Sequence, residues 1–205
     1  MIKRAIIYLH GFNSASRDSA GHLLVKKAKL AVLQAFCAEQ GVQLYAPNVD
    51  YRDFAGLIED CLYEYNQLLD QGFSVVFMGS SMGGFASEYL AMKTGRPAIM
   101  INPAIAPSCL LPTFIGVTTH YETGAPYDWQ LTHCQPYVDY EAELLQTQRQ
   151  FKRLILLDLG DELLDAEQTQ DLYRDRAEIL SFSGGSHAFE HMREALPAIG
   201  RVVSE

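Results

Sequence analysis

The stretch VVFMGSSMGG, residues 75–84, crowds three glycines around two serines directly after four apolar residues. Within it, Gly79 to Gly83 match Gly-x-Ser-x-Gly, with an apolar run before the motif and a helical pattern after it. A serine at the tip of such a strand-to-helix turn has a strained backbone, and side chains two residues before and after it would collide. The pattern therefore predicts that Ser81 presents its hydroxyl as a nucleophile. The alternative is a glycine-rich turn whose serine only caps the helix.

A nucleophilic serine needs a base, and that base needs a carboxylate to orient it. His187, in FSGGSHAFEHM, follows the last apolar run of the chain. Its two preceding glycines let the chain turn so that the imidazole can reach the serine. The order serine, acid, histidine is the one that accompanies a serine on this kind of turn. We therefore predict His187 as the base, the alternative being a surface histidine.

The segment LLDLGDELLD supplies four candidate acids just before the next helical pattern: Asp158, Asp161, Glu162 and Asp165. Asp161 follows a glycine in the predicted turn, and we predict it as the partner of His187. Asp158 and Glu162 remain alternatives. Asp165 is well placed to cap the following helix.

The first apolar run ends in YLHGFNS, and the loop that begins there can supply a backbone donor for the oxyanion of the reaction. A tetrahedral intermediate needs two backbone donors, and the predicted donors are the amides of Met82, after the nucleophile, and Phe12. Asn13, next in the loop, is a candidate substrate-binding residue. His10 is expected to fix the loop by hydrogen bonding rather than to act as a second base.

Residues 187–191 also spell His-x-x-Glu-His, an inverted zinc-protease motif. On one helix, His187 and His191 would share a face. A zinc site needs a further protein ligand, which we would expect well downstream of this motif. Phe189 and Met192 instead mark an apolar face that packs on the core. We therefore expect no metal.

The composition narrows the class of partner. The formal net charge of the 205 residues is −9, which argues against nucleic-acid binding. No segment approaches the roughly 20 apolar residues of a membrane span, and the apolar run 5–9 is too short for a signal peptide. Four widely spaced cysteines indicate buried thiols rather than a metal or redox motif. We expect a cytoplasmic protein.

Short apolar runs alternate with helical patterns along the chain, which predicts a mostly parallel sheet with helices on both faces. The predicted strands are Ala5–Leu9, Gln43–Ala46, Val75–Met78, Ala98–Ile101, Leu154–Leu157 and Glu178–Phe182. The predicted helices are Ser19–Cys37, Phe54–Leu69, Phe85–Lys93, Ala166–Arg176 and Ala188–Ile199. A cluster of lysines, Lys26, Lys27 and Lys29, is interpreted as a solvated helix face.

Residues 107–150 interrupt this alternation. No strand is predicted there, and prolines break any helix before Tyr140–Gln150. So long an excursion is typical of a lid or binding segment, although a self-packed surface insertion is the alternative. We expect Tyr121, Tyr127 and Trp129 to lie over Ser81 and line an acyl pocket.

The motifs YLHGFNS, GSSMGG, INPA, GDELLD and GGSHAF, in this order and spacing, resemble the YqiA-type small bacterial esterases of the α/β-hydrolase superfamily. The resemblance covers nearly the whole chain. It implies a reduced α/β-hydrolase fold of about six strands. The length of 205 residues separately predicts one domain, residues 1–205, with the 107–150 segment as a lid or cap-like insertion. The resemblance also implies that Ser81, Asp161 and His187 form the triad and that Asn102 lies in a loop near the site, where it is a candidate substrate-binding residue.

The resemblance further implies hydrolysis of a small ester or acyl thioester without a cofactor. We therefore predict a serine hydrolase that cleaves carboxylic esters through an acyl-enzyme. Two alternatives stay open: an acyl-CoA thioesterase, whose polyanionic substrate the lysine cluster could attract, and a non-catalytic relative that binds a ligand in its pocket. The oligomeric state is not predicted.

Overall fold

A computed structural model describes residues 2–26 and 28–205. The strands are β1 (Lys3–Leu9), β2 (Val42–Tyr45), β3 (Phe73–Ser80), β4 (Ala98–Ile101), β5 (Gly116–Thr119), β6 (Pro126–Trp129), β7 (Arg153–Asp158) and β8 (Glu178–Phe182). The helices are α1 (Ala28–Gln40), α2 (Phe54–Asp70), α3 (Met82–Thr94), α4 (Pro107–Leu110), α5 (Leu131–Cys134), α6 (Pro136–Gln146), α7 (Ala166–Tyr173) and α8 (Met192–Ser204).

One six-stranded sheet forms the centre of the molecule, in the spatial order β2-β1-β3-β4-β7-β8. Every neighbouring pair in it is parallel. The six predicted strands are all present, and those at Ala98–Ile101 and Glu178–Phe182 have the predicted bounds. Parallel neighbours require a crossover between strands, so all carboxyl ends of this sheet lie at one edge. Ser81 and His187 both follow strands at that edge.

Apolar side chains cover both faces of the sheet and form two clusters of buried residues. One cluster joins a sheet face to α2, α3 and the aromatic residues of the 107–150 segment. The other joins the opposite face to α1 and α8. The predicted arrangement of helices on both faces is therefore confirmed.

Helix α2 follows the predicted apolar stripe closely. Phe54, Leu57, Ile58 and Leu68 are all buried against the sheet. The carboxylate of Asp53 accepts a hydrogen bond from the Gly56 amide at 2.9 Å and so caps the helix. Spacing and cap together explain why the helix begins where the apolar stripe begins.

The predicted helix Ser19–Cys37 is wrong in its first half, because α1 begins at Ala28. The Asp18 carboxylate accepts hydrogen bonds from the amides of Ala20 and His22, both at 2.9 Å. An aspartate that binds the amides following it favours a turn over a helix. Lys27, in the predicted helix and lysine cluster, lies outside the described residues.

The predicted helix at Ala188–Ile199 also begins too early. Phe189 has φ of 63°, which a helix does not allow, and α8 begins at Met192. Phe189 is nevertheless buried in the core beside Met192, as its apolar character predicted.

The 107–150 segment contains two strands, so the expectation that it has none is wrong. β5 and β6 form an antiparallel hairpin separate from the main sheet. Pro136 does not interrupt a helix; it occupies the first turn of α6, where a proline is tolerated. Within the described part of the chain, no helix is both long and apolar enough to cross a bilayer.

Candidate active site

The chain turns from β3 into α3 at Ser81, whose φ of 57° and ψ of −122° are rare for a residue with a side chain. A Cβ atom at Gly79 would lie 2.0 Å from the Gly83 carbonyl oxygen, and one at Gly83 would lie 2.0 Å from the Leu9 carbonyl oxygen. Both distances are far inside van der Waals contact. The glycines of the motif are therefore required by the close approach of three backbone segments, as the sequence predicted.

The strained backbone of Ser81 is held by hydrogen bonds from the neighbouring strand and its following loop. Its amide donates to the Ile101 carbonyl at 2.9 Å, and its carbonyl accepts from the Ala104 amide at 3.1 Å. Strain of this kind costs about 1–3 kcal/mol and persists where the surroundings fix it. Here β4 and the loop after it supply that constraint.

His187 and Asp161, predicted as base and acid, are in direct contact. The ring Nδ1 of His187 lies 2.8 Å from Asp161 Oδ2. The other carboxylate oxygen of Asp161 accepts the amides of Leu163 and Leu164 at 2.8 and 2.9 Å. Burial acts to raise the pKa of Asp161, but the hydrogen bonds from His187 and these amides outweigh it and hold the pKa below its ordinary value.

The remaining candidate acids have other partners. Asp158 is fully buried and binds His191 Nδ1 at 2.7 Å. Glu162 accepts the backbone amide of His187 at 2.9 Å and so fixes the loop rather than the ring. Asp165 caps α7 by accepting the amides of Glu167 and Gln168, as predicted.

The two histidines of the His-x-x-Glu-His motif do not share a helix face. His187 lies in the loop before α8, and His191 is the residue immediately before the helix. Their Nδ1 atoms contact two different aspartates. Over residues 2–26 and 28–205, no group of three or more His, Cys, Asp or Glu side chains could hold a metal ion.

The loop after β1 is fixed through His10, in agreement with the role expected for it. The Val49 amide donates to His10 Nε2 at 3.0 Å, and the Tyr51 hydroxyl donates to the His10 carbonyl. An acceptor at Nε2 places the ring proton on Nδ1, which lies 2.8 Å from the Gly11 carbonyl. The loop therefore carries Phe12 in a defined position.

A cavity of about 510 Å³ opens at the carboxyl edge of the sheet. Its lining includes Ser81, His187 and both predicted oxyanion donors, Phe12 and Met82. Within the part of the chain that the structure describes, no hydrogen bond joins the Ser81 hydroxyl to the His187 ring. In free hydrolases such contacts are often long and tighten only when substrate binds.

Of the five residues predicted to bind substrate, Tyr121 lines this cavity, and it is largely exposed at the rim. The placement of Trp129 and Tyr127 does not meet the expectation. Trp129 is fully buried, and its ring nitrogen donates to the Leu111 carbonyl at 3.1 Å. Both rings pack against the ring of Phe12, so they support a lining residue from behind.

The two asparagines predicted to bind substrate are also absent from the cavity lining. Asn13 has φ of 52° and donates to the Thr119 carbonyl at 2.9 Å, which ties the β1 loop to β5. Asn102 accepts the Asp158 amide at 2.9 Å and donates to the Ser186 carbonyl at 3.0 Å. It thereby joins the ends of β4 and β7 to the loop of His187. Both residues position the site without reaching the cavity.

Leu110 and Phe114, which were not predicted as site residues, line the cavity from the start of the 107–150 segment. An apolar pair four residues apart looks the same whether it faces a core or a cavity. Lys29, also not predicted as a site residue, lines the cavity from α1 and donates to the Ser80 hydroxyl at 2.6 Å. The cluster of lysines was the feature of the sequence that could have indicated this cation. Its interpretation as a solvated helix face is wrong for Lys29, which is half-buried and lines the cavity.

Residues 5–203 match the model of the uncharacterised protein family UPF0227. The chain belongs to the UPF0227 family. A UPF0227 protein of Vibrio parahaemolyticus is 23% identical over 201 residues, which cover 95% of this chain and 96% of that protein. The family assignment agrees with the resemblance to YqiA-type esterases drawn from the sequence.

Solved structures of α/β hydrolases share the fold of this UPF0227 chain. Est1E from Butyrivibrio proteoclasticus superposes with a TM-score of 0.74 at 16% identity, covering 99% of this chain and 89% of Est1E. An alpha-beta serine hydrolase homologue from Coxiella burnetii gives 0.60 at 18% identity, with 98% and 86% covered. Mouse alpha/beta hydrolase domain-containing protein 10 gives 0.68 at 14% identity, with 98% and 89% covered. The chain therefore has the α/β-hydrolase fold.

Proposed function

We propose that this protein is a serine hydrolase that cleaves carboxylic esters through an acyl-enzyme on Ser81. One observation carries the proposal: a serine with a strained backbone and a histidine bonded to a buried carboxylate line a single cavity. The name of one fold relative, a serine hydrolase homologue, agrees with this chemistry. Fold alone would not be sufficient, since unrelated functions share it.

In the first half of the reaction, His187 takes the proton of the Ser81 hydroxyl at Nε2 while the oxygen attacks the ester carbonyl. Its Nδ1 faces Asp161, which keeps the proton on that nitrogen and leaves Nε2 as the base. The low pKa of Asp161 keeps its carboxylate ionised at neutral pH, so it stabilises the imidazolium that forms.

The tetrahedral oxyanion would be bound by the amides of Phe12 and Met82. Met82 is the first residue of α3, so its amide has no carbonyl four residues earlier within the helix to bind. The helix dipole also favours negative charge at this end. Collapse expels the alcohol, which takes the proton from His187. A water that His187 deprotonates then releases the acid and restores Ser81.

We also propose that the 107–150 segment caps the site as part of a single domain. Leu110, Phe114 and Tyr121 belong to it and line the cavity, so they would contact the acyl or alcohol part of the substrate. Thioesters would follow the same steps. The ratio of kcat/KM on butyryl esters and butyryl thioesters with matched leaving groups decides between the two classes.

The test is Ser81→Ala, assayed on p-nitrophenyl butyrate and with a fluorophosphonate probe. We expect turnover to fall by about 10⁴- to 10⁶-fold, as in a dissected serine protease, with unchanged circular dichroism. Ser74→Ala, at the opposite end of the same strand, is the matched control and should keep full turnover and labelling. Hydrolysis that persists in Ser81→Ala would refute the assignment. A folded wild-type protein that forms no adduct would favour the ligand-binding alternative.

A further inference from the structure

A cation lies in the cavity close to the proposed nucleophile. Lys29 extends from α1, and its ammonium donates to the Ser80 hydroxyl at 2.6 Å. Ser80 ends β3 and directly precedes Ser81, with consecutive Cα atoms about 3.8 Å apart. Lys29, Ser80 and Ser81 all line the same cavity. One small substrate can therefore contact both the ammonium and the reacting hydroxyl.

The surroundings of the Lys29 ammonium favour its binding to an anionic group of a substrate. Lys29 is half-buried, and the residues beside it in the lining are mainly apolar, with Ala28, Leu30 and Tyr8 among them. Charge-assisted hydrogen bonds gain strength where water is partly excluded. The net charge of −9 gives the molecule no general attraction for anions, so a local cation would be needed to select one.

The lining contains one carboxylate, that of Glu190, among the described residues. Glu190 is exposed at the rim, and its backbone amide binds Asp158. Lys29 is therefore less exposed to solvent than the one carboxylate residue of the described lining. A substrate that enters past the rim reaches positive charge next to the nucleophile.

We infer that Lys29 is a specificity-determining residue and that the preferred substrate is an ester carrying an anionic group, such as a carboxylate, near the scissile bond. The inference rests on the proposed esterase function and adds the substrate class to it. The Lys29 ammonium would bind the anionic group while Ser81 attacks the carbonyl. Neutral esters of the same size would still react, without that contact.

Two pairs of esters test the inference and locate the charge. The first pair is p-nitrophenyl hemiglutarate and p-nitrophenyl pentanoate, which differ by a carboxylate on the acyl chain. The second pair is 4-carboxyphenyl butanoate and its methyl ester, which differ by a carboxylate on the leaving group. We expect wild type to prefer the charged member of one pair by at least about tenfold in kcat/KM, from the strength of hydrogen bonds to charged groups.

Lys29→Met should remove that preference, because kcat/KM for the charged ester should fall at least about tenfold more than kcat/KM for the neutral ester. Lys26→Met is the matched control, because Lys26 is exposed and pairs with Glu122 at 3.1 Å outside the cavity lining. It should keep the preference. Lys29→Arg retains the charge and should keep it as well, which leaves the inference testable if Lys29→Met does not fold.

Ser80→Ala separates recognition from a structural role for Lys29. It removes the hydroxyl that Lys29 contacts but leaves the ammonium, so the preference should survive. Equal losses in Ser80→Ala and Lys29→Met would overturn the inference. So would the absence of a preference in both pairs. Failure of the esterase function itself looks different: wild type would then cleave neither neutral ester, and Ser81 would not react with a fluorophosphonate.

Discussion

Two histidine–aspartate pairs lie at the carboxyl edge of the sheet, and their bonds are almost the same length. His187 is 2.8 Å from Asp161, and His191 is 2.7 Å from Asp158. Both carboxylates are nearly buried, and both rings are partly exposed. What differs is the environment on the far side of each ring and on the second oxygen of each acid.

The ring of His187 lines the cavity, whereas that of His191 stacks on Phe182 with ring centroids 5.0 Å apart. The Asp161 oxygen that does not contact the His187 ring accepts amides of its own turn. The Asp158 oxygen that does not contact the His191 ring accepts the amides of Ser186 and Glu190, one residue before and three residues after His187. We therefore interpret the first pair as the one that acts on substrate and the second as the anchor of the loop that carries it.

Replacing each acid by asparagine gives the largest expected difference. Asp161→Asn should lower turnover on p-nitrophenyl butyrate by about 10⁴-fold, because the imidazole loses the partner that fixes its tautomer. Asp158→Asn should keep turnover within about tenfold but lower the free energy of unfolding, because it weakens a fully buried network. Urea unfolding monitored by fluorescence measures the second effect. If Asp158→Asn were the inactive variant, the two pairs would have to exchange roles.

A smaller effect is expected at the second ring. His191→Ala should lower the free energy of unfolding by about 1–3 kcal/mol, since it leaves a buried acceptor of Asp158 without its partner. Turnover should again stay within about tenfold. His22→Ala provides the control, because that exposed ring faces Asp18 at 3.5 Å and exposed ion pairs contribute little. Equal unfolding free energies for both variants would remove the anchoring role.

The smallest effect concerns pH. The folded pKa of Asp161 is lowered, so its ionised form adds stability that is present above the ordinary value of about 3.9 and is lost as pH falls through the folded pKa. The gap in unfolding free energy between wild type and Asp161→Asn should therefore narrow as pH falls from about 5 to about 3. Urea titrations across this range measure it. A gap that widens toward acid would contradict the direction of the pKa shift.

Much of this architecture could be predicted because it depends on local pattern. The central strands are buried on both faces, so they read as short apolar runs such as Ala98–Ile101. The turn at Ser81 was predictable because close backbone approach leaves glycine as the residue that fits at 79 and 83. The position of His187 after the last strand followed from the same motif.

The remainder depends on contacts between residues far apart in sequence. The pairing of His191 with Asp158 follows a residue with positive φ, Phe189, and an apolar sequence pattern does not predict that backbone conformation. Trp129 was expected in the cavity because aromatic residues suit an acyl group. Whether it faces cavity or core is decided by its packing against Phe12, more than 100 residues earlier.

Phe12 belongs to two parts of the molecule at once. It lines the cavity beside Ser81, and its ring is held by Phe114, Tyr127 and Trp129 of the 107–150 segment. For protein engineering, this means that the 107–150 segment cannot be replaced without also affecting the position of Phe12. A segment transplanted from an α/β hydrolase to change selectivity would also have to supply aromatic residues that pack around residue 12. Otherwise the graft would displace the proposed oxyanion donor as well as the lining of the original cavity.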